Sequence, residues 1–213
     1  MKINQLLIPK SKTKTRPGIK MTPKYITIHE TGNSNKGANA NAHARLQYNG
    51  NSRQASWHFQ VDDKEIWQSL PTNEVGWHAG DGRGPGNMSS IAIEICVNSD
   101  GNFAKARANA AWLAAKLMKD HKIPIKNVVQ HHKWSGKNCP QKIRAGGLWN
   151  SFIKQVEGEY KKMTAPKSEP GRTSTGSAKY RVVAGSFAEK KNAEAQVKKL
   201  KDKGFEAFIL PVE

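Results

Sequence analysis

Two cysteines in 213 residues are too few for a disulfide framework, so cysteine usage implies no oxidising compartment. Long apolar runs are missing as well. No stretch approaches the ~20 apolar residues of a membrane span. The amino-terminal run Leu6-Leu7-Ile8 stops at Pro9, too soon for the core of a signal peptide. Acidic residues are scarce: 17 Asp and Glu stand against 35 Lys and Arg, a formal charge of +18 at pH 7. Such an excess attracts polyanions, and nucleic acid is the first class it suggests. Yet no zinc-finger, helix-turn-helix or aromatic RNA-binding signature accompanies the lysines, so no specific nucleic-acid partner is expected. The hydrophobic share of 37% is compatible with a real core, and the length suffices for one full domain plus a small second one.

Among the residues present, the stretch 128–140, VVQHHKWSGKNCP, sets histidine, lysine and cysteine at fixed offsets, and His29 stands far upstream in YITIHET. The pattern reads as a split zinc site with a lysine beside it. A catalytic zinc takes three protein ligands from imidazole, thiolate and carboxylate and leaves a fourth position open. His131 and Cys139 are too far apart for one helical face, but suit a strand end followed by a loop that folds back, which Ser135, Gly136 and Asn138 favour. In a continuing strand His131 and His132 point to opposite faces, so only one of them can meet a metal. Cys96 lies in the apolar run IAIEICV and reads as an inert buried thiol, whereas the polar, lysine-flanked setting of Cys139 favours a thiolate. Singly, such residues are more often structural; the constellation carries the reading.

Periodicity orders the rest of the chain. Residues 25–28 alternate as a strand, with Ile26 and Ile28 on one face and Tyr25, Thr27 and His29 on the other. Within 34–47 a helix is expected to begin after the Asn-Ser-Asn-Lys-Gly loop, and SWHFQVDD followed by 65–68 reads as a hairpin. The segment 75–87, VGWHAGDGRGPGN, holds five glycines and a proline and reads as a loop, with Trp77 and His78 as a candidate substrate wall. IAIEICV reads as a core strand that buries Ile91, Ile93, Ile95 and Val97 and turns Glu94 to the face of Ala92 and Cys96. The helical spacing of Ala106, Ala110, Leu113, Ala114, Leu117 and Met118 predicts a helix over Phe103–His121, and Trp149, Phe152, Ile153 and Val156 predict another over 148–160. Composition then shifts to a Lys-, Ser-, Thr-, Pro- and Gly-rich linker at 161–179, followed by a strand, helix, strand unit at 180–213 whose core is thin for its size.

The motifs YITIHETGN, SWHFQVDD, GWHAGDG, IAIEICVN and VVQHHKWSGKNCP, in this order, resemble the zinc-dependent N-acetylmuramoyl-L-alanine amidases of the phage-endolysin and autolysin type, relatives of the peptidoglycan recognition proteins. The resemblance covers residues 1–160. It implies an α/β fold with a mixed central β-sheet flanked by helices, and one Zn2+ held by His29, His131 and Cys139, which selects His131 over His132. It implies hydrolysis of the amide between N-acetylmuramic acid and L-alanine in peptidoglycan. Zinc would polarise the scissile carbonyl and acidify its water, Glu94 would accept that water's proton and pass it to the leaving amine, and Lys137 would meet the developing oxyanion. Some members carry a tyrosine where this chain has Trp57, and an indole cannot replace its hydroxyl, so more proton work falls on Glu94. Trp57, His58, Trp77 and His78 are the candidate substrate contacts.

The tail, through VVAGSF and AEAQVKKLKDKGFEAFI, is similar to the SPOR repeats that bind glycan strands on cell-wall hydrolases, at about half the length of a full module. Peptidoglycan is then the expected partner, and anionic wall polymers such as teichoic acid would answer the positive charge. Action at the bacterial cell wall without a signal peptide implies cytoplasmic accumulation followed by release through a holin-like or other route. A non-catalytic peptidoglycan-binding protein on the same fold is the alternative. Cys139 weighs against it, because loss of that ligand accompanies loss of catalysis in recognition-type relatives.

Overall fold

A computed structural model describes residues 1–51, 53–165 and 183–210. Six strands form one mixed sheet in the order β1-β4-β3-β5-β2-β6: β1 Ile3–Gln5, β2 Tyr25–Glu30, β3 Phe59–Val61, β4 Ile66–Gln68, β5 Ser90–Ile95 and β6 Val128–Gln130. β3 and β4 form the expected antiparallel hairpin, while β3, β5, β2 and β6 run parallel. β1, which pairs with β4, is too short to show an alternation in the sequence.

β2 and β5 sit at the centre because their isoleucines are wholly apolar on one face. Ile26, Ile28, Ile91, Ile93 and Ile95 join Leu113, Ala114 and Leu117 of α3 (Phe103–His121) and Phe152 and Val156 of α6 (Trp149–Thr164) in one core. α3 occupies the predicted range, capped by the Asn102 side chain, which accepts from the Lys105 N–H. The opposite face of the same strands carries Thr27, His29 and Glu94. The register places His29 directly beside Glu94 at the carboxyl ends of parallel strands, where open α/β sheets bind ligands.

Two boundaries differ from expectation. The helix expected between the loop ending at Gly37 and Gln47 is α1, Ala40–Asn49; the chain turns at Gly37 with φ +79°, and the helix starts two residues later than that loop requires because Asn39 caps it by accepting from the Ala42 N–H. α6 runs to Thr164, four residues into the expected linker, because Tyr160 and Met163 keep packing against the core. The short helices α2 (Pro85–Met88), α4 (His132–Ser135) and α5 (Gln141–Ala145) punctuate the loops around the site.

The chain divides into two compact units, Met1–Ala165 and Pro166–Glu213. In the second, α7, the helix of the expected strand, helix, strand unit, spans Lys190–Asp202. The segments around it, 183–184 and 205–210, carry no strand pairing among the described residues. A strand needs a neighbour to satisfy its backbone, and so short a unit offers few. Residues 166–182 of the expected linker and first strand lie outside the described residues.

Candidate metal centre and active site

Two strand ends and one loop bring the candidate ligands together. His29 is on β2, His131 follows β6, and Cys139 closes the loop after α4. Their ligand atoms all lie within 4.8 Å of one another, and all three residues are buried. His29 Nδ1 stands 3.9 Å from Cys139 Sγ and 3.9 Å from Glu94 Oε1. His132 is exposed. The choice between the two histidines is not made by strand alternation: β6 ends at Gln130, and His131 already has helical φ and ψ at the start of α4. Its backbone N–H still donates to Ile28 O, which ties this turn to β2.

The hydrogen bonds behind the two histidines determine their tautomers. His131 Nε2 lies 2.9 Å from Ala79 O, so it carries the proton and donates, leaving Nδ1 bare, buried and without a partner. His78 Nε2 lies 3.3 Å from Ser90 O and must donate, so His78 Nδ1 accepts from His29 Nε2–H at 3.1 Å. His29 Nδ1 is then a lone pair with the Cys139 thiol as its hydrogen-bond neighbour. Burial, with the neighbouring histidines adding, lowers the pKa of both His29 and His78 well below the ordinary imidazole value.

Two free imidazole nitrogens and a thiol converging on one buried spot form a donor set that fits Zn2+. Tetrahedral zinc with its usual bond lengths spaces such donors by roughly 3.3–3.8 Å, a little closer than the 3.9 Å between His29 Nδ1 and Cys139 Sγ. Cys139 departs from expectation in one respect. Its loop is polar, but the side chain turns inward, and burial followed by the charge of Glu94 pushes the thiol up to about 12. It becomes a thiolate only when a cation displaces the proton.

Glu94 faces the same spot. Burial raises its carboxyl to about 8, Lys137 opposes the rise and Glu30 adds to it; Oε2 is buried without a partner. Lys137 itself is exposed on the loop before Cys139.

Two of the four proposed substrate contacts are buried. His58 is fully buried: its Nε2 donates to Glu74 O, its Nδ1 accepts from the Ala92 N–H, and burial lowers its pKa to about 4. Both nitrogens are consumed by backbone. His78 is buried behind His29, with both nitrogens engaged as described. Trp57 and Trp77 remain partly exposed. The Trp57 indole donates to Gln60 Oε1 at 2.8 Å, and Gln60 is the β3 register partner of Glu94.

Two further residues escaped sequence reasoning. Glu30 accepts from the Lys142 and Ile143 N–H groups at 2.7 and 2.9 Å, locking the first turn of α5 and thus the segment that follows Cys139. Its position one residue after His29 was the only local signal. Asn87, in the glycine-rich loop, accepts from the backbone N–H groups of His78 and Ala79; no pattern in the sequence marked it.

Known proteins share this architecture. The N-acetylmuramoyl-L-alanine amidase family model Amidase_2 matches residues 19–142, and a SPOR domain model matches 145–211, beginning within the first compact unit. N-acetylmuramoyl-L-alanine amidase XlyA of Bacillus subtilis (strain 168) is 57% identical over 143 residues, 67% of this chain and 47% of the relative. CwlH of the same organism is 55% identical over 142 residues, 66% of this chain and 56% of that one. The chain therefore spans about half the length of these relatives. CwlA of B. subtilis is 34% identical over 202 residues, covering 89% of this chain and 73% of the relative. The catalytic domain of XlyA superposes with a TM-score of 0.70 at 54% identity, covering 73% of this chain and 99% of that one. PlyL superposes at 0.68 with 40% identity, covering 73% and 97%. By its sheet, its buried His-His-Cys cluster and these matches, the chain belongs to the N-acetylmuramoyl-L-alanine amidase family.

Proposed function

We propose that this chain hydrolyses the amide between N-acetylmuramic acid and L-alanine in bacterial peptidoglycan, with His29, His131 and Cys139 holding a zinc ion. The observation that carries the reading is the convergence of His29 Nδ1, the unpartnered His131 Nδ1 and the Cys139 thiol beside a buried carboxylate with an unpartnered oxygen. A zinc ion held there supplies Lewis acidity that polarises an amide carbonyl and lowers the pKa of water. Glu94 takes the proton of the attacking water and returns it to the departing amine of L-alanine. Burial alone makes Glu94 too weak an acid to be a base at neutral pH, but positive charge nearby moves it back towards that range. Lys137 already acts in that sense. Lys137 also sets a positive charge near the carbonyl oxygen as it gains negative charge.

The SPOR-like tail binds glycan strands and keeps the chain on its polymer, so the site of action is the cell wall. The charge of +18 adds attraction to polyanions without selecting teichoic acid among them. No helix among the described residues is long and apolar enough to cross a membrane. Digestion of purified peptidoglycan by the zinc-loaded chain should release L-alanine amino termini in step with bound metal. Binding to peptidoglycan without new amino termini would sink the hydrolytic reading.

A further inference from the structure

We propose that the glycine-rich loop 77–88 is a clamp that fixes both histidines of the site as Nδ1 donors, and that Asn87 is the positioning residue on which the clamp depends. This rests on the metal reading above.

The loop supplies the outer partner of each ring. His78 Nδ1 accepts from His29 Nε2–H, and one residue later Ala79 O accepts from His131 Nε2–H. Two ligands 102 residues apart in sequence are thus held in one tautomer by two adjacent residues. Backbone of this kind has no ladder to hold it. Ser56 ties the loop's start, its N–H donating to Trp77 O and its Oγ accepting from the Trp77 N–H, and α2 turns the loop's end. Between them the backbone relies on the loop's own side chains and one Gly84-to-Asp81 turn, and buried N–H groups left alone would be costly.

Asn87 replaces the missing ladder. Its Oδ1 accepts from the N–H groups of both His78 and Ala79 at 2.8 Å, and its Nδ2 donates to Gly82 O at 2.9 Å. Its own backbone N–H donates to Asp81 Oδ1, while Asp81 Oδ2 accepts from the Gly86 N–H. The side chain is required in both senses, since one end accepts two protons and the other gives one. Only an amide does this at that length. Asn87 is 3% exposed and touches none of the proposed ligand atoms, so it acts through the loop. The fit is tight: a Cβ on Gly86 would lie 2.6 Å from Ala79 Cβ and 2.7 Å from Trp134 Cγ. Trp134, on the helix begun by His131, is itself anchored by donating to Thr27 Oγ1 at 2.9 Å.

The full chain tests this with two readouts. Long-range proton–nitrogen NMR of the metal-free protein reports which nitrogen of His29 and His131 carries the proton, and chelator competition reports the zinc dissociation constant. The wild type should show both rings protonated at Nε2. N87A should show mixed tautomers and bind zinc about 10–100-fold more weakly, the usual cost of losing such a supporting partner. N87D keeps the acceptor but not the donor and should fall between them. Wild-type tautomers and affinity in N87A overturn the clamp. If circular dichroism shows N87A unfolded, N87D decides, and its equality with wild type in both readouts overturns the proposal. A wild type with uniform tautomers that binds no zinc would instead overturn the metal reading and leave the clamp standing.

Discussion

Helices α6 and α7 carry the same kind of apolar spacing and end in opposite situations. In α6, Trp149, Phe152, Ile153, Val156, Tyr160 and Met163 recur at helical intervals, and Phe152 and Val156 are completely buried on the core shared with α3. In α7, Ala193, Val197 and Leu200 follow the same interval, yet none of its residues is buried. Around it Phe205 is 63% and Val183 69% exposed. An amphipathic stripe is therefore a request for a surface and does not supply one. The first unit has a six-stranded sheet to answer it; the described part of the second has no sheet at all.

The sharpest contrast between the two units lies in chemistry. Replacing Glu94 with alanine should lower turnover on peptidoglycan about 10²–10⁴-fold, the usual worth of a positioned acid or base, while zinc stays bound. Retained turnover would remove Glu94 from the mechanism. Packing gives the next test. Phe152→Ala should cost about 3–5 kcal/mol in denaturant unfolding, because its cavity cannot be filled by neighbours on both α3 and the sheet. Leu200→Ala in α7 should cost less than about 0.5 kcal/mol. A comparable loss at Leu200 would mean that the tail has found a core of its own, and the contrast would collapse.

Smaller effects probe the frame of the site. Gly86→Ala should destabilise the first unit by about 1–3 kcal/mol in thermal unfolding, since the added methyl meets Ala79 and Trp134 well inside van der Waals contact. A neutral result would show the loop to be looser than its packing. The mildest test is electrostatic. Hydrogen bonding from Arg16 lowers the carboxyl of Glu74 below its ordinary value of 4.5, although burial opposes the shift. Arg16 Nε and Glu74 Oε2 are 2.7 Å apart, and both side chains are buried. A lowered folded-state value means that the stabilisation is fully present above pH 4.5 and is lost as pH falls through the folded value. The stability gap between wild type and Glu74→Gln should therefore narrow with acidification below pH 4.5, and a gap that widens would contradict the pairing.

Much of the fold was legible because its signals are local. The isoleucine alternation of β2 and β5, the hairpin and the whole length of α3 follow from periods of two and 3.6 residues and from caps within a few positions. The site was legible as a set of chemical types, since motifs name imidazole, thiol and carboxylate directly. Its roles were less so. His58 and His78 look alike in the sequence, each next to a tryptophan, yet His58 serves two backbone groups and His78 supports His29. Asn87 gave no sign, and Glu30 only its place after His29, because the groups they serve are backbone N–H donors.

By itself, then, the sequence determined the order of the strands along the chain, the helix α3 and the inventory of groups able to hold a metal and move a proton. Tertiary structure alone decided how that inventory is used. A helical turn at residue 131, not strand alternation, turned His131 inward and left His132 in solvent. Burial raised Glu94 and Cys139 above their ordinary values. Contacts spanning 49 and 52 residues set His78 Nδ1 against His29 Nε2 and Ala79 O against His131 Nε2. Periodicity reports a residue's neighbours within a turn or two, whereas a tautomer and a pKa are set by whatever atom the fold brings within 3 or 4 Å, and that atom belongs to another part of the chain.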